Sequence, residues 1–382
     1  MLSLTVALSN QSTKIDQSIS FCQKETSPPH IAQAVFLVII IIVTLLGNGS
    51  VCATVILNRS LRTFTNLLVV SLAISDIMFA TLSLPFRVHQ TIHNFKWCLS
   101  EGLCQFWVWA DSLCCCASIW NLALISVDRF LATKYPLTYH QLITRRRAVL
   151  MVASVWLLSL LVSSLGLFNW TNVGGKNVNI HTNGCMKVDP PFYTVAAATG
   201  FFLPLLIVLC AYSYVFYIAM GHIRAIARTT VPASRVIEGN TKEKNQALTR
   251  EIKAAKTLAI VVGVFTICWF PFFVAIVVRF WCESCVEAEQ NPKLKYFFMF
   301  VNITFVYTLP QINSACNPFI YVIFSKKLRL AFVRMFRKFR NQIWDWLEKP
   351  ERKSNGRREM NIANAAYVGP GTGSVTALDC KL

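Results

Sequence analysis

The chain is 382 residues long, 54% hydrophobic and only 14% charged, with a positive mean hydropathy. A water-soluble chain carries about a quarter charged residues, so this composition excludes an ordinary soluble fold and points to a protein that crosses a membrane several times. The formal net charge of +19 does not indicate nucleic acid as a partner. The lysines and arginines cluster between and after apolar runs, and basic loops of that kind mark the cytoplasmic side of a membrane.

Residues 1–30 are polar, contain Pro28-Pro29 and read as an exposed tail, with a glycosylation acceptor pattern at Asn10-Gln11-Ser12. Met1–Leu8 lacks the basic start and apolar core of a cleavable signal, so the first spanning run is expected to act as signal and anchor. That run covers 33–57 and contains Gly47-Asn48. After a short loop bearing Arg59 and Arg62, the second run covers 66–88, with Asp76 in its middle and Pro85 near its outer end. The loop that follows holds Trp97.

The third run, Leu103 to Ala132, is long enough to span a bilayer as one helix. Asp111 interrupts it near one end and Asp128-Arg129 near the other. Asp111 and Arg129 are five helical turns apart, which puts them on one face and roughly 27 Å apart along the axis. A carboxylate inside a membrane segment is expensive and marks a functional site by default. Asp76 is a second such acid.

The fourth run, 148–168, follows Arg145-Arg146-Arg147 and carries Trp156. The Asn169–Pro190 loop begins with a second acceptor pattern, Asn169-Trp170-Thr171; two further matches, at Asn48 and Asn302, fall inside membrane runs and are rejected. The fifth run, 192–220, carries Phe201-Phe202-Leu203-Pro204 and Tyr212, and a short basic segment, 221–252, follows. In the sixth, 253–280, Pro271 frees a backbone carbonyl and creates a bend about which the inner half can swing. The seventh, 296–322, ends in Asn317-Pro318-Phe319-Ile320-Tyr321. Residues 325–341 alternate apolar and basic side chains as an amphipathic helix on the inner membrane face does. The organisation read is a tail (1–32), a seven-helix domain (33–324), the surface helix (325–341) and a disordered cytoplasmic tail (342–382) with Thr372, Ser374 and Thr376 as phosphorylation candidates. Seven runs put the amino terminus outside, and the basic loops then fall on one side.

Cys22, Cys98, Cys104, Cys185, Cys282 and Cys285 fall in outer segments, where disulfides form. Cys282-Glu283-Ser284-Cys285 reads as a local disulfide, because no second such pair accompanies it as a zinc site requires. Cys22 and Cys98 pair with each other or compete with it. No Ser-His, Cys-His or zinc spacing appears inside the runs, which argues against an enzyme. No internal repeat is visible, which argues against a transporter of inverted halves.

The stretch DSLCCCASIWNL at 111–122, followed by Asp128-Arg129-Phe130 and Lys134-Tyr135-Pro136-Leu137, resembles the third helix of rhodopsin-like (class A) G-protein-coupled receptors, and among them biogenic amine receptors. LAxSD ending at Asp76, FxxCWxPFF at Phe265–Phe273 and NPxxY at Asn317–Tyr321 agree, and the resemblance covers about residues 33 to 340. It implies an all-α seven-helix bundle in the plasma membrane that is a receptor and not an enzyme. It implies a Cys104–Cys185 disulfide, and a small cationic ligand held by Asp111 with Cys115, Trp269, Phe272, Phe273 and Tyr307 around it. Inside, it implies a switch made of Asp128, Arg129, Glu251, Tyr212, Asn317, Pro318 and Tyr321 that engages a heterotrimeric G protein, with arrestin and receptor kinases as further partners. Asp76, Ser118, Asn313, Ser314 and Asn317 would form a polar cluster suited to an allosteric sodium ion, since oxygen ligands suit a hard cation; no other cofactor is expected. Three departures from the amine pattern stand out: Ala196, Ala197 and Gly200 where catechol receptors carry serines, Gln311 in place of a tyrosine, and Arg87 near the pocket. Arg87 reads as snorkelling to the outer headgroups, as pairing with Asp111, or as reading the ligand. A non-amine ligand, whether peptide, lipid or another small molecule, is the alternative.

Overall fold

A computed structural model describes residues 28–170, 178–179, 185–187, 189–228, 260, 262–278, 281, 308–324, 328–338 and 340–345. Among these, five helices are long and apolar enough to cross a membrane: His30–Leu57, Phe64–Ile92, Glu101–Lys134, Arg145–Leu167 and Pro190–Ile218. Val262–Val278 and Leu309–Phe324 are the described parts of the sixth and seventh. Residues Met1–Arg329 form one compact unit, which contains these helices.

The bundle places its polar residues inside. Thr44, Asn48, Ser75, Asp76, Asn121, Asn313 and Asn317 are buried, while Val35, Ile39, Ile42 and Leu46 of the first span and Leu150, Leu157 and Leu161 of the fourth lie on the surface. That arrangement suits lipid, which solvates apolar side chains and leaves polar groups to find partners within the protein.

Helix ends follow local chemistry. The first helix begins at Pro28, earlier than the apolar run from 33 suggested, because a proline in the first turn gives up only an N–H that has no helical partner. Thr63, Ser100 and Thr144 cap the second, third and fourth spans, each accepting from a backbone N–H three residues on. The second span breaks at Ser83 and resumes as Leu84–Ile92. Pro85 has no N–H for the Thr81 carbonyl, and the Thr81 hydroxyl bonds back to Ile77 and Met78.

The fifth span holds a feature that the apolar run did not reveal. Pro190–Ala197 and Leu203–Arg228 are α-helical, and Ala198–Phe202 between them is a π turn in which the Leu203 N–H donates to the Ala198 carbonyl. Pro204 cannot donate to the Gly200 carbonyl, and the wider turn takes up the extra residue. Outside the membrane runs, Val178–Asn179 and Met186–Lys187 pair as a two-residue antiparallel ladder; among the described residues every other regular element is helical.

Leu330–Leu382 form a second compact unit. Within it residues 330–338 and 340–345 are helical, and the Phe332 and Phe336 rings lie 4.7 Å apart.

The second and third spans run antiparallel, and polar contacts join them at four levels in nearly constant register. Thr65 meets Asp128, Ser75 meets Ser118 at 3.0 Å, Ser83 meets Asp111, and Arg87 meets Trp107. Trp156 of the fourth span donates to Ser71 of the second at 3.0 Å.

Candidate functional site

Cys104 and Cys185 are joined, with their Cα atoms 5.6 Å apart, so the loop before the fifth span is tied to the outer end of the third. Cys98 is disulfide-bonded as well. The tied loop is anchored again by Lys187, which is fully buried. Its ammonium pairs with Asp189 at 2.8 Å, donates to the Phe168 carbonyl at 2.7 Å and lies 5.5 Å from the Phe192 ring.

Asp111 lies two turns inside Cys104. Its carboxylate is part-buried and accepts a hydrogen bond from the Ser83 hydroxyl. The Trp107 indole N–H donates to the same Ser83 oxygen at 3.1 Å, and the Arg87 guanidinium lies over the Trp107 ring, 4.6 Å from its centre. Among the described residues Asp111 makes no ion pair. The Arg87 guanidinium thus packs on the third span, one turn outside the carboxylate.

Beneath this level sits a cluster of rings. Phe79, one turn inward from Ser83, has its ring 6.5 Å from Trp269. Trp269 contacts Phe265, Phe272 and Phe273 at 6.1, 5.6 and 6.0 Å. Phe201, from the π turn, stacks on Phe273 at 4.4 Å and on Phe265 at 6.0 Å. Cys115 is buried, and Gly200 brings the π turn to the thiol of its neighbour Cys116, where an added Cβ would lie 3.6 Å from the sulfur.

Deeper in the bundle Asp76 is fully buried and accepts from the Asn317 amide at 2.8 Å. Its second oxygen has no hydrogen-bond partner, and the side-chain oxygens of Asn48, Asn121, Asn313 and Asn317 are likewise buried without one. Asn48 donates to the Thr44 and Ser314 carbonyls at 3.0 Å each. Of the expected sodium cluster, Ser118 bonds Ser75 at 3.0 Å. A buried carboxylate among hydroxyl and amide oxygens is the donor set that suits a hard cation.

At the inner end Asp128 is fully buried and held from three sides. The Thr65 hydroxyl donates at 2.8 Å, the Tyr139 hydroxyl donates to the other oxygen, and Arg129 pairs at 2.5 Å while also bonding Thr65. Tyr139 opens a short helix, Tyr139–Leu142, just past the end of the third span. Burial, and next the hydrogen bond that it donates to Asp128, push its phenol pKa up, so it remains a neutral donor. Tyr212 packs with Ala123, Val208 and Val262. Pro318 lies against Gly47 of the first span, where an added Cβ would come within 2.8 Å of the proline ring.

The structure thus brings Asp111 together with Ser83, and Trp269 with Phe272 and Phe273. Glu251, Tyr307, Cys282, Cys285 and Asn10 lie outside the described residues, as does the side chain of Tyr321; Asn169 is half-buried at the start of its loop. Sequence reasoning missed Ser83, Trp107, Phe201, Thr65 and Tyr139. The signal for the first two and for Thr65 was the register of two antiparallel spans once Asp111 and Asp128 were fixed.

The description "7 transmembrane receptor (rhodopsin family)" matches residues 47–321. The chain is 30% identical over 354 residues to a probable G-protein coupled receptor, No18, of Amphibalanus amphitrite, covering 80% of this chain and 90% of that one. It is 31% identical over 347 residues to the human alpha-1A adrenergic receptor, covering 83% and 71%. It is 30% identical over 326 residues to dopamine receptor 1 of Drosophila melanogaster, covering 79% and 61%. With its apolar helices, third-span Asp-Arg pair and NPxxY motif accounted for, the chain belongs to the rhodopsin family of seven-transmembrane receptors, multi-pass membrane proteins that are not enzymes.

Proposed function

We propose that this receptor binds a small cationic, amine-like ligand from outside, with Asp111 as counter-ion, and activates a heterotrimeric G protein inside. The observation that carries the reading is the state of Asp111: a carboxylate two turns inside the Cys104–Cys185 tie, held only by a neutral hydroxyl and without a cation among the described residues. An ammonium supplies the missing charge. The rings of Trp269, Phe272 and Phe273 below add cation–π attraction, about 0.5–2 kcal/mol each. Similarity to adrenergic and dopamine receptors supports the same ligand class.

Signal transfer is assigned to the inner half. The Asp128–Arg129–Thr65–Tyr139 cradle holds the resting state, with Glu251, just before the sixth run, as a further latch for Arg129. A ligand that prefers the open state shifts the balance toward it. Tyr212 and Tyr321 then fill the space vacated by the sixth span, and Asn317-Pro318 lets the seventh adjust. Sodium at Asp76, Ser118, Asn313, Ser314 and Asn317 would favour the resting state. The amino terminus is assigned to the outside, with glycans at Asn10 and Asn169. The amphipathic helix is assigned to the inner lipid surface. The tail, with Thr372, Ser374 and Thr376, is assigned to receptor kinases and arrestin.

The test is Asp111→Asn, read with an amine panel by cyclic AMP and calcium in cells matched for surface receptor. Losing one partner of a buried charge pair costs about 3–5 kcal/mol, at least two decades of potency. Unchanged potency would refute the amine reading and favour a non-amine ligand.

A further inference from the structure

The last turn of the second span carries two histidines that the ligand site does not use. His89 lies in the helix Leu84–Ile92 and His93 is its C-cap. Residues at that spacing stand one above the other on one helix face. Their rings lie 4.3 Å apart, centre to centre, and are tilted by 31°. Both are half-buried. The His93 Nδ1 lies 2.8 Å from the His89 carbonyl oxygen. A carbonyl can only accept, so this nitrogen carries the proton and the neutral ring keeps its lone pair on Nε2. A bond to a backbone carbonyl of that kind is what orients metal-ligating histidines. The His89 Nδ1 is buried without a hydrogen-bond partner among the described residues, a state that calls for one. The His89 ring stands edge-on to Trp97 at 6.3 Å, and Trp97 packs with Cys104 and Cys185, so the two imidazoles rest on a tied base.

We infer that His89 and His93 form a binding site for a transition-metal ion of the zinc class. Imidazole nitrogen suits such ions, whereas magnesium and calcium prefer oxygen. A tetrahedral ion with bonds of about 2.0–2.1 Å holds two ring nitrogens about 3.4 Å apart. Rings centred 4.3 Å apart reach that span when His89 turns about its soft terminal torsion. Among the described residues no third His, Cys, Asp or Glu joins the pair, so water completes the shell and the ion exchanges freely. Two ligands from one helical turn act as a chelate, and either alone holds the ion weakly. The inference does not depend on the amine reading of Asp111.

The experiment uses the full-length solubilised receptor, purified without a histidine tag, and zinc chloride as the probe. Binding is measured by calorimetry on the wild type, His89→Gln, His93→Gln, the double variant and His93→Asp, each first shown to melt cooperatively. The wild type should bind a zinc ion that magnesium chloride at equal concentration does not displace. Either single Gln variant should weaken that ion about a hundredfold or more, the worth of the second attachment. The double variant should lose little beyond either single one, because the chelate is already broken. His93→Asp should keep part of the affinity, since a carboxylate also ligates zinc. Zinc binding by the wild type no stronger than by the double variant, unchanged affinity in either single Gln variant, or displacement by magnesium overturns the site. A second measurement needs no variant: zinc-edge X-ray absorption of the wild type with one equivalent of zinc should show two imidazoles at about 2.0–2.1 Å. A sulfur shell, or oxygen alone, overturns the assignment.

Discussion

Replacing Gly47 by alanine should loosen the receptor, although the same change two residues on should tighten it. In an open helical position a glycine-to-alanine change stabilises by roughly 0.5–1 kcal/mol, because alanine loses less backbone entropy on folding. Gly49 is such a position: a Cβ built there meets nothing within 4 Å. At Gly47 the Cβ would stand 2.8 Å from Pro318 Cγ and 3.1 Å from its Cβ. Carbon pairs are at rest at about 3.5–4.0 Å, so the first and seventh spans must part by up to about 1 Å. The obstacle is a ring fused to its own backbone and cannot swing aside as a long side chain would. Overpacking of this kind costs about 1–3 kcal/mol, which outweighs the gain. At roughly 2–4 °C per kcal/mol for a domain of this order, Gly47→Ala should melt several degrees below the wild type and Gly49→Ala at or above it, measured by thermal unfolding in one detergent. Because Pro318 belongs to the seventh-span motif, Gly47→Ala should also change basal signalling. Equal melting temperatures for the two variants would refute the reasoning.

Asp76→Asn should remove the effect of sodium on amine affinity; competition binding in sodium chloride against N-methylglucamine chloride checks it, and a persistent sodium effect would place the ion elsewhere. Tyr139→Phe deletes one donor to the buried Asp128, a bond of about 1.5–3 kcal/mol, and basal signalling at matched surface expression should rise about tenfold. The raised phenol pKa fixes the sign of its pH dependence: the stabilisation is complete below the ordinary tyrosine value near 10 and is lost only as pH climbs through the higher folded value, so the effect of Tyr139→Phe should be constant from pH 6 to 9. Lys187→Met removes the ammonium from the buried Asp189 carboxylate and should cost about 3–5 kcal/mol in thermal stability, with part of the loss recovered by adding Asp189→Asn; equal stability of Lys187→Met and wild type would show that the pair is solvated.

Apolar length and turn signals made the spans legible, and Asp111, Asp128 and Asp76 announced themselves because charge in a membrane run is rare. The Cys104–Cys185 tie followed from family resemblance. The partners of those acids were not legible in the same way. Ser83, Thr65 and Tyr139 are ordinary polar residues whose importance appears only when two helices are set in register, and nothing within a single helix fixes that register. Lys187 and Asp189 belong to residue types that are mostly exposed, and only the fold shows that the tied loop buries them. The π turn was missed because Pro204 signals a lost hydrogen bond but not whether the helix will kink or widen in response. Arg87 showed the limit most clearly: its charge could be read, but its direction depends on Trp107, twenty residues away.

The four-level stitching of the second and third spans has a mechanical meaning. From Thr65 to Arg87 the contacts extend over about 33 Å of helix, close to the full hydrocarbon thickness of a bilayer. Fastened at both faces and twice between, the two helices behave as one post. A ligand seated against that post gains nothing by prying it apart, since any such motion would break several polar contacts at once. The work that it does must go into elements not fastened in this way, and the post serves as the fixed reference against which they turn.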